Sequence, residues 1–209
     1  ACLATHAAFS HFHNIERQPL TAKRWGVFSH RVVLEHPLVR NINTRFNVPH
    51  SRWNEITAEQ MTRASQLVLV ESEEAGIHLA TSADGLRLDF FQGHPEYDDF
   101  SLLKEYKREV NRFLAGEIDD YPHYPDHYFS KEALSLLEAY RESAIRSRQQ
   151  GVSFDDFPEQ QIPVENTWGD TGKMIFNNWL GTVYQLTGQD RRQPFMAGID
   201  PDEPLAQLF

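Results

Sequence analysis

Residues 76–98 read GIHLATSADGLRLDFFQGHPEYD, and this stretch decides the fold. Apolar and polar residues alternate over 76–82 and again over 86–91, on either side of Ala83-Asp84-Gly85. A period of two marks a half-buried strand, and Asp-Gly tolerates the positive φ that a tight turn demands. The stretch therefore reads as a β-hairpin. The loop that follows, Gly93-His94-Pro95-Glu96-Tyr97-Asp98, leads into a helix-periodic segment. A histidine and a carboxylate thus sit two residues apart at a strand end, where α/β proteins build their sites.

Downstream, three helices are expected. Over 99–115 the apolar positions 102, 103, 106, 110, 113 and 114 form one stripe opposite Lys104, Lys107, Arg108 and Arg112. Over 131–149, Leu134, Leu137, Tyr140 and Ile145 recur at helical spacing. Over 171–186, Met174, Ile175, Phe176, Trp179, Leu180, Val183 and Tyr184 leave little polar face, so that helix is expected to be largely buried. The polar stretch 150–167 reads as a long surface loop. Upstream, 3–13 reads as a short helix directly after Cys2, and 25–34 and 66–71 read as strands. Thr57-Ala58-Glu59-Gln60 is a capping-box pattern that starts a helix over 58–64.

Strands mixed with helices give an α/β class. The 209 residues suffice for one domain with a core, and 1–209 reads as a single domain. A doubly wound sheet normally supplies several strands before its nucleophile turn, and none is readable before Cys2. The missing strands are expected on a preceding segment or on another polypeptide.

The formal net charge of -10, from 30 acidic and 20 basic side chains, argues against a general nucleic-acid binder, which needs a basic surface. No apolar run reaches the length of a membrane span. A single cysteine excludes an internal disulfide framework and fits a reducing, cytoplasmic setting. There is no P-loop and no dinucleotide-type glycine pattern. His11 and His13 would point to different faces of a helix, and His123 and His127 flank a proline with no further ligand, so no metal site is expected.

The candidate chemistry rests on Cys2, His94 and Glu96. A thiol just before a helix meets unsatisfied N–H groups and the positive end of the helix dipole, which favour the thiolate. An isolated cysteine is more often a small core residue, and an isolated H-x-E more often a surface loop. In combination they supply a nucleophile, a base and a carboxylate to orient that base.

With Ala7-Ala8 after Cys2, and with Gly26-Val27-Phe28 and His30, Pro49-His50-Ser51-Arg52, GHPEYD at 93–98 and Phe176-Asn177-Asn178-Trp179-Leu180, the sequence resembles the homoserine O-succinyl/acetyltransferases. These are relatives of the class I glutamine amidotransferases, and the resemblance spans nearly the whole chain in register. It implies a flavodoxin-like, class I glutamine amidotransferase-like sheet flanked by helices, of which this chain is the C-terminal portion. It also implies Cys2 as acyl-accepting nucleophile, His94 as base, Glu96 as its orienting acid, and substrate contacts at Lys23, Ser51 and Arg108. The implied reaction moves an acetyl or succinyl group from acyl-CoA, a co-substrate, to the hydroxyl of homoserine in methionine biosynthesis. No cofactor is expected to be bound, and a homodimer is the family expectation.

The chain departs from the family pattern at Leu3, usually Trp, and at His6, usually Gln, and its 145–167 loop is longer than usual. A backbone N–H at position 3 can still serve an oxyanion hole, whereas His6 is expected to reshape a substrate pocket. Two other readings are a glutamine amidotransferase-like hydrolase and a non-catalytic fragment.

Overall fold

The computed structural model describes residues 1–152, 154, 156–187, 192 and 194–206. The elements in chain order are α1 (Leu3–His13), β1 (Gln18–Val32), a 3-10 turn (Pro37–Val39), β2 (Arg45–Glu55), α2 (Ala58–Arg63), β3 (Leu67–Ser72), β4 (Gly76–Thr81), β5 (Asp89–Phe91), α3 (Ser101–Leu114), α4 (Lys131–Gln150), a second 3-10 turn (Glu159–Gln161) and α5 (Gly169–Leu186). The chain packs as two compact units: Ala1–Arg24 with Phe28–Glu96 and Thr167–Phe209, and Trp25–Val27 with Tyr97–Asn166.

The first unit holds a five-stranded sheet in the order β2-β1-β3-β4-β5. The β1–β3, β3–β4 and β4–β5 pairs are antiparallel. The class is α/β, as the alternation of patterns predicts, with helices packed on the sheet. The hairpin forms with a shorter second strand than the alternation predicts: Leu79, Ala80 and Thr81 pair with Phe91, Phe90 and Asp89, while 86–88 belong to a wider turn. Its turn is held by Asp84, whose Oδ1 accepts from Ser82 Oγ and from the Leu86 and Arg87 amides, each at 2.9 Å. Gly85 takes φ +79°, which an L side chain rarely adopts.

The sheet carries apolar side chains on both faces. One cluster joins Phe9, Ile15, Ile56, Met61, Ile77, Ala80 and Phe90, and brings α1 and α2 onto one face. The other joins Leu38, Val39, Phe46, Val48, Leu69, Val70, Leu79 and Ile175, and brings α5 onto the opposite face. Strands β3 and β4 also carry two compensating bulges. Between Glu71↔Ile77 and Val70↔Leu79, β4 carries the extra residue His78; between Val70↔Leu79 and Val68↔Ala80, β3 carries the extra residue Leu69. A bulge sends two successive side chains to one face, so His78 joins Leu79 on the α5 side.

The structure adds a strand and reverses the burial expected of one helix. Strand β2 was not foreseen, because RFNVPHSRWNE lacks a clean alternation and contains Pro49. It lies at the end of the sheet, where a missing N–H is tolerated, and it buries the polar residues His50 and Arg52. Helix α5 buries Ile175, Thr182 and Leu186, while Phe176, Leu180 and Tyr184 face outward, Tyr184 being 85% exposed. Its sequence has two apolar stripes, and the sheet covers only one of them. In α1 the buried residues are Thr5, His6 and Phe9, whereas Leu3 and Phe12 are exposed.

In the second unit, α3 buries Leu102, Leu103, Tyr106, Val110 and Phe113, and α4 buries Ala133, Leu137, Tyr140 and Ala144. Helix α4 starts at Ser130, whose hydroxyl accepts from the Ala133 amide, and ends on Gly151 at φ +66°. Gly26 is bridged to Asp126, and a Cβ there would lie 2.2 Å from the Asp126 carbonyl. Within the loop read at 150–167, the turn Glu159–Gln161 is anchored by an ion pair from Lys107 to Glu159 at 2.6 Å.

Candidate active site

The end of β5 brings Cys2 and His94 together. The Cys2 amide donates to the Phe91 carbonyl at 2.7 Å, and the Thr5 hydroxyl donates to the same oxygen at 2.8 Å. Three residues on, the His94 amide donates to the Pro49 carbonyl at 2.8 Å, tying the loop to β2. Gln92 stitches the loop from inside. Its amide oxygen accepts from the Ile56 amide at 2.7 Å, and its NH2 donates to the Ile56 and Ile77 carbonyls at 2.9 and 3.0 Å. Cys2 and His94 are therefore registered by one short strand and its neighbours.

Cys2 caps α1 with φ 48° and ψ −109°, a conformation unusual for a residue with a side chain. Such strain persists only where surrounding contacts enforce it, as the two bonds to Phe91 do here. The Leu3 amide hydrogen bonds to the sulfur, while the Leu3 side chain is 63% exposed. Only its backbone meets the site, so the departure from tryptophan leaves this donor in place.

His94 Nδ1 lies 2.7 Å from Glu96 Oε1. The other nitrogen, Nε2, is left for the hydrogen bond to the Cys2 thiol. Burial raises the Cys2 pKa, but the hydrogen bond and charge of His94, the Leu3 amide and the Arg52 charge outweigh it and hold the thiol below its ordinary value. Burial likewise lowers that of His94, but the bonds and charges of Cys2 and Glu96 carry it up to about 9. The two shifts together favour the thiolate–imidazolium form of the pair.

The substrate-contact candidates fall in different places. Lys23 lies on β1 and Ser51 on β2, both half-buried in the first unit. Arg108 belongs to the second unit, on the exposed side of α3, where it pairs with Glu109 at 3.2 Å. His6 is buried and hydrogen bonds to Gln92 rather than facing solvent, so its difference from the usual glutamine bears on the packing beneath the site. Among the described residues, no group of three or more His, Cys, Asp or Glu side chains is arranged to hold a metal ion. None of the described helices is long and apolar enough to cross a membrane.

The buried polar residues behind the loop, Arg52, His50, His30, His78 and Gln92, carry no catalytic motif of their own in the sequence. The signal was available in the H-S-R spacing of β2, which puts His50 and Arg52 on one face of a strand.

A family model described as homoserine O-succinyltransferase matches residues 1–189. Among curated proteins, the homoserine O-succinyltransferase of Methylococcus capsulatus is 57% identical over 208 residues, covering 98% of this chain and 59% of that protein. That of Methylobacter tundripaludum is 55% identical, with coverage of 98% and 59%, and that of Nitrosococcus oceani is 52% identical, with 98% and 58%. The chain thus spans a little under three fifths of the length of these relatives. Among solved structures, a glutamine amidotransferase from Thermotoga maritima aligns over 78% of this chain and 54% of its own, with 9% identity and a TM-score of 0.43. The match over residues 1–189 and the relatives above half identity carry the conclusion: this chain belongs to the homoserine O-succinyltransferase family.

Proposed function

We propose that this chain carries the reaction centre of a CoA-dependent acyltransferase that moves a succinyl group to the hydroxyl of homoserine through a thioester on Cys2. The observation that supports this most is the Cys2–His94–Glu96 arrangement: a thiol hydrogen-bonded to an imidazole whose other nitrogen sits 2.7 Å from a carboxylate. The succinyl choice follows the names of the relatives.

In the first step the Cys2 thiolate adds to the thioester carbonyl of succinyl-CoA. The carbon–sulfur bond to coenzyme A breaks, and the departing thiolate takes a proton from the His94 imidazolium. In the second step neutral His94 accepts the proton of the homoserine hydroxyl as its oxygen adds to the acyl carbon. The bond to Cys2 breaks, and thiolate and imidazolium are restored. Glu96 holds His94 in the tautomer that faces the sulfur and supports its charge. The Leu3 amide is one donor to the tetrahedral oxyanion, and loss of such a donor typically costs about 10²–10³ in rate. Lys23, Ser51 and Arg108 are the proposed substrate contacts, where a guanidinium offers a carboxylate a bidentate fit. Within the longer protein, this chain is the C-terminal portion of the acyltransferase domain.

The test is intact-mass spectrometry of the full-length protein after brief exposure to succinyl-CoA or acetyl-CoA without homoserine. A gain of one succinyl group, absent in Cys2→Ala and discharged by homoserine, is expected. An acetyl adduct instead would correct the donor, and no adduct from either would overturn the mechanism.

A further inference from the structure

Behind the loop that carries His94 lies a chain of buried polar side chains with a single consistent set of protons. His30 Nδ1 is 2.9 Å from the Phe28 carbonyl. A carbonyl only accepts, so His30 carries its proton on Nδ1 and presents Nε2 as an acceptor. His50 Nε2 lies 3.2 Å from His30 Nε2 and must donate to it. His50 Nδ1 is then an acceptor, and the Arg52 Nε–H fills it at 3.2 Å. Both rings are neutral in this arrangement, since an extra proton on either would set N–H against N–H. Burial drives both pKa values down, that of His30 to about 4 and that of His50 well below the ordinary value. The one fixed charge in the chain is the guanidinium.

Arg52 is not placed to meet a substrate: its side chain is 1% exposed. Its remaining donors go to the Asn54 carbonyl at 2.9 Å, to Glu55 at 3.4 Å and to the Ala75 carbonyl. At the other end the histidines press on the catalytic loop. A Cβ on Gly93 would lie 2.8 Å from His50 Nε2 and 2.8 Å from His78 Nδ1, so the Gly93 backbone rests on these rings, one residue before His94.

We propose that the buried Arg52–His50–His30 chain is the positioning device of the Cys2–His94 pair, seating Gly93 and thereby His94, and placing a permanent positive charge within electrostatic reach of the Cys2 sulfur. The proposal rests on Cys2 being the nucleophile. Arg52 is coupled to the Cys2 charge, to Glu55 and to Arg24, and its field also reaches His6, His30, His50 and His78. His94 and the Leu3 amide act on Cys2 alongside it. A fixed charge favours the thiolate without competing for substrate, and neutral rings transmit position without adding a titration.

The test uses the full-length protein and follows carbamidomethylation of Cys2 by iodoacetamide against pH, read by peptide mass spectrometry. In Arg52→Met the apparent Cys2 pKa is expected to rise by about one unit. Alkylation on the acidic limb would then slow about tenfold, and the rates would converge at high pH. Glu55→Gln removes the carboxylate that offsets Arg52 and is expected to lower the Cys2 pKa, which keeps the idea testable if Arg52→Met does not fold. A merely structural Arg52 would lower the yield of folded protein and leave the Cys2 pKa unmoved. An unmoved pKa in folded Arg52→Met, or in Glu55→Gln, overturns the proposal. A wild-type Cys2 that titrates like an ordinary thiol would instead overturn the nucleophile reading itself.

Discussion

His94 Nδ1 and Glu96 Oε1 lie 2.7 Å apart, two residues from each other in the chain, with the Glu96 side chain 57% exposed and that of His94 14% exposed. The carboxylate is therefore half in water while the imidazole is not. Glu96→Gln should keep the bond geometry but remove the charge that supports the imidazolium. We expect kcat to fall by about 10²-fold with little change in KM, and the basic limb of the pH–rate profile to move to lower pH. Steady-state kinetics across pH checks both.

On the proposed mechanism the Cys2–His94 pair also sets the wild-type pH dependence. The Cys2 pKa is lowered, so thiolate is gained as pH rises through that value; the His94 pKa is raised to about 9, so imidazolium is lost as pH rises through 9. The acylation step needs the thiolate as nucleophile and the imidazolium as proton donor to coenzyme A. A bell-shaped profile for single-turnover acylation is expected, with its basic limb near pH 9. A rate that keeps climbing beyond that limb would remove His94 as the acid.

Gly93 is closed in on three sides. A Cβ would lie 2.6 Å from Val48 Cγ1 and 2.8 Å from each of His50 Nε2 and His78 Nδ1, all buried. Gly93→Ala must push the loop outward or displace the rings. A loss of stability of about 1–3 kcal/mol is expected, together with a loss of activity larger than the fraction unfolded explains. Denaturant titration alongside kcat at low temperature separates the two.

Asp89 begins β5 opposite Thr81, with a buried Oδ1 that lacks a partner. Burial raises its pKa to about 6, against an unfolded value of 3.8, with Thr81 pulling the other way. A carboxyl with a raised folded pKa favours the fold most when protonated in both states. Its contribution is highest below 3.8, declines as pH rises through 6, and is flat above. Asp89→Asn cannot ionise and should be the more stable protein at pH 8, by about 1–3 kcal/mol, with the gap closing near pH 4. Thermal melts at the two pH values provide the check, and a constant gap would refute the assignment.

Much of the local structure was legible in residues 1–209 as written. The hairpin followed from alternation around Asp84-Gly85, and α2 from the Thr57–Gln60 capping box, in which both reciprocal bonds form. These are short-range effects: a turn needs one left-handed residue, and a cap needs one side-chain oxygen at a fixed offset. The motifs at Cys2 and at 93–98 likewise carried the family, and Cys2 and His94 do hydrogen bond.

What the sequence left open depended on which surfaces meet. Met174, Phe176 and Leu180 are as apolar as Ile175 and Leu186, and only tertiary packing, of Ile175 against the sheet and of Leu186 against Leu86, Phe195 and Leu205, decided which stripe of α5 is buried. The alternation of 76–82 hid a bulge at His78, because register is settled by the partner strand and not by the strand itself. The charge state of His30 and His50 had no local signature. It arises because β1 and β2 bring a carbonyl, two rings and a guanidinium into one buried line, where each proton has a single place to go.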